Sequence, residues 1–213
     1  MLFPEFLDGN TSQELREAAE LCTHKGAGSR DMLDWAWCRL LAVTLRQKLA
    51  DLDCLSPMHR AVQCTLFEKS PERNWLVAMH QDLSIPVEAK VAETELSGWS
   101  VKGEILFVHA PVNILEQLTA VRVHLDPCDA GDGPLNVVPG SHLHGIVDTA
   151  KANELRSLLG VVSCTASVGD ALVMRSSLLH ASSKASGNSR RRVLHFLYGP
   201  PSLPYGLKWA RAV

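Results

Sequence analysis

Residues Asn74 to Ser84 read NWLVAMHQDLS. The apolar run Trp75-Leu76-Val77-Ala78-Met79 breaks abruptly into His80-Gln81-Asp82 and turns apolar again at Leu83. Successive side chains of a β-strand alternate faces, so His80 and Asp82 share one face while Gln81 takes the other. The reading predicts a strand of barrel wall whose end presents an imidazole and a carboxylate side by side. Whether that pair grips a metal depends on what the rest of the chain brings to it.

Composition narrows the field. With 213 residues, 46% of them hydrophobic and 21% charged, the chain can bury a sizeable core without staples and fits a single domain over 1–213. A formal net charge of -2 gives no electrostatic reason to bind nucleic acid or an anionic membrane. The cysteines Cys22, Cys38, Cys54, Cys64, Cys128 and Cys164 form no CxxC pair and no disulfide framework; most sit in apolar runs, where a thiol acts as a small hydrophobe. The opening MLFPEFLDGN lacks the basic-then-apolar order of a secretory signal. No apolar run approaches the ~20 residues of a membrane span, so a cytoplasmic protein is expected.

The front end, about 11–53, reads as helical. Thr11-Ser12-Gln13-Glu14 has capping-box spacing ahead of LREAAELC, and Gly26, Gly28 and Ser29 mark a break. From Asp31 to Leu52, Leu33, Trp37, Leu40, Leu41, Leu45 and Leu49 recur near helical spacing. From about 60 to 200 the grammar changes to short β-like runs: AVQCTLF, NWLVAMH, EILFVHA, LTAVRVHL, PLNVVPG, GVVSCTA, DALVMRS and RRVLHFLY. Turn-rich pieces such as LSGWS and DPCDAGDGP separate them, with helical interruptions near Val112–Gln117 and Ala150–Leu159. This pattern predicts a mainly β protein, a double-sheet jelly roll with flanking N-terminal helices.

Two His-x-Asp pairs exist, His80-x-Asp82 and His124-x-Asp126, and spacing leaves both open as two ligands from one strand. Two histidines and a carboxylate with open positions opposite form the facial triad of non-heme Fe(II) oxygenases. GDALVMRSSLLHASS offers a further histidine, His180, at the end of an apolar strand. Eleven residues on, Arg191 opens RRVLHFLY, and its rigid fork suits bidentate capture of a carboxylate. Arg190 reads as a solvated turn residue, and Arg192 is left open. His142 and His144 read as rim or surface residues, Arg73 and Lys102 as solvated charges. His109, Arg122 and His124 are candidates to line a pocket.

Taken in order, MHQDLS, GWSVK, LDPCDAGDGPLNVVPGSHLHG, GDALVMRSSLLHASS and RRVLHFLY resemble the phytanoyl-CoA dioxygenase family over roughly residues 60 to 200. The resemblance implies a cupin-like double-stranded β-helix and an oxygenase that uses Fe(II), 2-oxoglutarate and O2, releasing succinate and CO2. It implies His80, Asp82 and His180 as iron ligands and Arg191 as the residue binding the far carboxylate of 2-oxoglutarate. Ser182 matches a position that contacts the same carboxylate, and Trp99 an aromatic bordering the cosubstrate. Gln63, Thr65 and Lys69 lie where the family completes that pocket. Asp126 then falls to turn geometry. A carboxylate at Asp82, which related halogenating enzymes lack, implies hydroxylation or a related oxidation of a small-molecule substrate; if Arg122 faces the pocket, that substrate is anionic. The alternatives are a cupin-type isomerase or hydrolase, and a non-catalytic binding barrel. Arg191 and the intact triad favour the oxygenase.

Overall fold

The computed structural model describes residues 1–22 and 28–213; Gly26, read as part of a break, lies outside the described residues. Two helices come first, α1 (Gly9–Glu20) and α2 (Ala36–Asp51). The cap of α1 is Asp8, whose carboxylate accepts from the Thr11 backbone N–H at 2.8 Å and from the Thr11 hydroxyl at 2.9 Å. The capping box expected at Thr11 is therefore displaced by about one turn, because Asp8 satisfies the first free amides. The helix expected from Asp31 is split: Met32–Asp34 form a 3-10 turn, and Trp35 at φ -83, ψ 130 is extended. Leu41, Leu45 and Leu49 are buried as predicted, whereas Leu40 lies off that stripe and is 70% exposed.

The strands are β1 (Leu2–Phe3), β2 (Gly28–Ser29), β3 (Arg60–Lys69), β4 (Val77–His80), β5 (Ser84–Val87), β6 (Ser97–Lys102) and β7 (Ile105–His109). Then follow α3 (Val112–Leu115), β8 (Thr119–His124), β9 (Leu135–Val137), α4 (Thr149–Leu159), β10 (Val162–Cys164), β11 (Ala171–Arg175), β12 (His180–Ser182) and β13 (Arg191–Gly199). They pair antiparallel into a six-stranded sheet, β1-β11-β8-β13-β3-β2, a four-stranded sheet, β10-β9-β12-β4, and a three-stranded sheet, β5-β7-β6. The expected mainly β jelly roll is the observed fold. LSGWS, read as a turn, supplies part of β6, and residues 84–104 carry two strands of the third sheet. NWLVAMH is paired only from Val77, at an edge of the four-stranded sheet, so Leu76 is 63% exposed rather than wall.

The six-stranded sheet has two unlike faces. Leu194, Phe196 and Tyr198 of β13, Val121 and Val123 of β8, and Cys64 and Leu66 of β3 pack with Leu41, Leu45 and Leu49 of α2 in one apolar cluster. The Tyr198 hydroxyl donates to the Ala42 carbonyl at 2.8 Å. The alternate residues, Arg191, His195 and Leu197 of β13 and Gln63, Thr65, Phe67 and Lys69 of β3, line a cavity on the opposite side.

Of the second His-x-Asp pair, Asp126 contributes to the helical side. Asp126 accepts from Arg192 Nε at 2.8 Å and Arg192 Nη2 at 2.9 Å, and from the Arg192 backbone N–H at 2.9 Å. Arg192 also meets Glu20 at 2.7 Å, tying α1 to the sheet. Asp126 is thus half of a buried ion pair rather than a turn residue. Arg190, expected in a solvated turn, instead pairs with Glu68 at 3.1 Å and with Glu20. Removing one member of a buried pair leaves the other charge uncompensated, which costs about 3–5 kcal/mol. Asp126→Ala is expected to lower unfolding stability by that amount in urea titrations.

Candidate active site

The turn from β11 into β12 carries the chain from one sheet to the other and sets His180 directly opposite His80 in the β12–β4 pairing. Their rings lie 4.2 Å apart, centre to centre. Asp82 sits just past β4, its backbone N–H donating to the Ser176 carbonyl at 3.1 Å. Asp82 Oδ1 is 3.6 Å from His80 Nε2, and Asp82 Oδ2 is 3.6 Å from His180 Nε2. Ligand atoms of the three residues all fall within 4.8 Å of one another; among the described residues no other group of three or more His, Cys, Asp or Glu does so.

Both imidazoles are oriented alike. His80 Nδ1 lies 2.8 Å from the Ala78 carbonyl and His180 Nδ1 lies 2.8 Å from the Leu178 carbonyl. With Nδ1–H donating outward, each Nε2 lone pair is left facing Asp82, the tautomer a metal needs. Gln81 is tied elsewhere: its amide donates to the Gly145 carbonyl at 2.8 Å and the Ser177 carbonyl at 2.7 Å and accepts from the Val147 N–H at 3.0 Å. Burial opposes ionisation of Asp82, but the surrounding imidazoles of His80, His180 and His195 outweigh it and hold the carboxyl below its usual range.

The triad opens on a cavity of about 600 Å³, within the range of small-molecule sites. Arg191 is buried in its lining, and among the described residues its Nε and Nη1 have no hydrogen-bond partner. Such orphaned donors call for an acceptor, and a carboxylate matches the guanidinium fork. Lys69 stands directly opposite Arg191 in the β13–β3 register and donates to Ser182 Oγ and the Ser183 carbonyl. Ser182 Oγ in turn donates to the Gly133 carbonyl at 3.0 Å, so Ser182 bears on the cavity largely through Lys69. The donor set therefore fits both a divalent metal and a dicarboxylate: three candidate ligands, and lining the same cavity a guanidinium and an ammonium that have no carboxylate partner among the described residues.

The scan against protein families matches the phytanoyl-CoA dioxygenase model over residues 26–193. The chain belongs to the phytanoyl-CoA dioxygenase family. Membership makes it an Fe(II)/2-oxoglutarate-dependent oxidoreductase, in keeping with the His-Asp-His cluster. No curated protein matches the sequence. Among solved structures, the non-heme α-ketoglutarate-dependent epimerase SnoN from nogalamycin biosynthesis is 17% identical with a TM-score of 0.68, over 99% of this chain and 80% of its own. The α-ketoglutarate-dependent carbocyclase SnoK from the same biosynthesis is 16% identical, TM-score 0.67, over 100% and 88%. HygX from Streptomyces hygroscopicus, with nickel and 2-oxoglutarate bound, is 15% identical, TM-score 0.63, over 94% and 82%. At such identities the likeness is one of fold.

Of the residues singled out in this family member's sequence, Gln63, Thr65, Lys69, His109, Arg122, Ser182 and Arg191 line the cavity with the triad. Trp99 does not. On β6 it lies on the face opposite Lys102, packing against the apolar cluster of Ile85, Val87 and Val108, with Lys90 5.6 Å from its ring. Lys102, read as a solvated charge, is instead a lining residue, whereas Arg73 pairs with Glu68 at 3.3 Å. His124 is buried outside the cavity lining, and burial followed by the charges of Arg122 and Arg191 drives its pKa down to about 3. His144 is exposed.

Sequence reasoning assigned no role to His195. Its Nδ1 accepts from Arg122 Nη1 at 3.0 Å, which leaves the proton on Nε2, 3.9 Å from Asp82 Oδ2. Burial, then the Arg122 charge, lowers its pKa to about 3, so it is neutral. The signal was present: in RRVLHFLY, His195 shares parity with Arg191. Partners that orient metal ligands are typically worth about 10–100-fold in metal affinity. His195→Leu is expected to weaken Fe(II) binding about tenfold or more in a chelator-competition titration, with its circular dichroism spectrum unchanged.

Proposed function

We propose that this protein hydroxylates a C–H bond of a small-molecule substrate, with iron held by His80, Asp82 and His180 and with 2-oxoglutarate seated on Arg191. One observation carries the reading: a buried guanidinium with unsatisfied nitrogens lines the same cavity as a preoriented His-Asp-His cluster. When bound, iron, 2-oxoglutarate and O2 supply the oxidation, in which the cosubstrate becomes succinate and CO2 and the substrate C–H becomes C–OH.

The residues divide the remaining work. The carbonyls of Ala78 and Leu178 fix the two imidazoles, and His195, held by Arg122, stands 3.9 Å from Asp82. Arg191 and Lys69 neutralise the far carboxylate of the cosubstrate, and Ser182 holds Lys69 in place. Gln81 anchors the 145–147 segment beside the site. Phe67, Trp75, Val77, Phe107, Leu135 and Leu197 give the cavity apolar walls, which exclude water and position a carbon skeleton. Retention of Asp82 leaves the metal three protein ligands and supports hydroxylation over halogenation. The fold also serves proteins named as an epimerase and a carbocyclase, so product analysis decides the outcome of the oxidation. A cupin-type isomerase or hydrolase has no use for Arg191 in this position.

Anaerobic protein with Fe(II) and 2-oxoglutarate is expected to show a weak visible charge-transfer band. His180→Ala should abolish it. Arg191→Ala should weaken the cosubstrate by about 10–100-fold, the equivalent of a lost charge-assisted contact of ~1.5–3 kcal/mol. A normal band in His180→Ala would remove that residue from the metal site.

Lys69 adds a pH dependence. Burial, then the charge of Arg191, lowers its pKa to about 8. An incoming dianion favours the ammonium, so binding above pH ~8 must draw a proton from solvent. The Kd for 2-oxoglutarate is therefore expected to rise up to about tenfold per pH unit above that value, and Lys69→Met should flatten the profile.

A further inference from the structure

The cavity carries more positive charge than iron and cosubstrate require. Arg30, Lys69, Lys102, Arg122 and Arg191 line it, against the single carboxylate of Asp82. A divalent metal and a dianionic cosubstrate cancel, so their binding leaves the surplus in place. Lys69 and Arg191 face the cosubstrate end, and Arg122 is engaged by His195. Arg30 and Lys102 remain.

These two belong to different sheets. Arg30 follows β2, which pairs with β3 at Leu66 and Phe67, and Lys102 ends β6 in the three-stranded sheet. Neither has an ion-pair partner among the described residues. The Lys102 ammonium lies 4.8 Å from the centre of the Phe107 ring, another lining side chain. Burial lowers its pKa, Arg30 lowers it further, and Asp82 raises it, so Lys102 feels both the other cation of the lining and the triad. Arg30 is exposed and Lys102 half-buried; two like charges lining one cavity without a counterion leave a positive potential there that an anion relieves.

We infer that Arg30 and Lys102 form the seat for an oxyanion of the substrate, a carboxylate or phosphate joined to a carbon skeleton that lies along the apolar walls toward the triad. The inference rests on the oxygenase reading for what happens to that skeleton, while anion capture stands on the two cations themselves. Phe67 and Phe107 line the same cavity as this pair and the triad, so the acidic group fixes one end of the substrate and its distance to the reacting carbon selects the C–H bond. Charge in the lining also raises the local concentration of anions and makes capture dependent on ionic strength.

The test uses protein loaded with Ni(II) and saturating 2-oxoglutarate, so that Arg191 is already occupied. Calorimetric titration with hexanoate, hexyl phosphate and 1-hexanol is expected to show one or both anions binding at least tenfold more tightly than the alcohol. Arg30→Ala/Lys102→Ala should lose at least tenfold for the anion, and Arg30→Lys should recover most of what Arg30→Ala loses. The Fe(II)–2-oxoglutarate band should form in the double variant as in wild type. Equal binding of hexanol and the anions, no binding by any of the three, or undiminished anion binding in the double variant would overturn the seat. Absence of the band in wild type, with anion binding still dependent on Arg30 and Lys102, would overturn the oxygenase reading and leave the seat standing.

Discussion

Strand β13 is hydrogen-bonded on both edges, to β3 and to β8, and every residue from Arg191 to Gly199 is buried. A strand in that position must satisfy two environments at once. Its Leu194, Phe196 and Tyr198 face α2 and the apolar cluster, while Arg191 and His195 face the cavity. Period-two alternation turns one short segment into both the centre of the core and the charged wall of the site. A register slip of one residue would exchange the two sets and abolish both.

The charge arrangement follows from that division. On the helical face Arg192 is matched by Asp126 and Glu20, so the buried cation is compensated inside the protein. On the cavity face, among the described residues, Arg191 keeps unpaired nitrogens, Arg122 keeps an unpaired Nε, and Lys69 is held by hydroxyl and carbonyl oxygens and the Trp75 ring rather than by a carboxylate. Adjacent residues of one strand therefore differ in kind: Arg192 holds the fold together, and Arg191 waits for a ligand. Leaving charges uncompensated disfavours the empty folded state, and the same deficit drives selective capture of anions.

Much of this was legible from residue types. His80 and Asp82 two apart, a GD-strand-His segment ending at His180, and Arg191 eleven residues later implied the site through their order. The cavity-lining parity of β3 was likewise readable, and Gln63, Thr65 and Lys69 all line the wall. Trp99, which the resemblance placed beside the cosubstrate, packs instead against the apolar cluster of Ile85, Val87 and Val108, outside the cavity lining. Asp126 was taken for a turn residue because its partner Arg192 lies 66 positions away. The same distance effect hid the link between Arg122, His195 and Asp82.

The sequence by itself determined the alternating strands and the apolar stripe of α2, since each is encoded in side chains a few positions apart, and its family resemblance named the candidate metal and carboxylate ligands. Only the tertiary structure decided that His180 pairs across from His80, that Lys69 rather than Gln63 or Thr65 stands opposite Arg191, and that Arg30 and Lys102 line one cavity. Those outcomes depend on strand register and sheet packing. Register and packing are set by contacts between residues far apart in the chain, which no local pattern specifies.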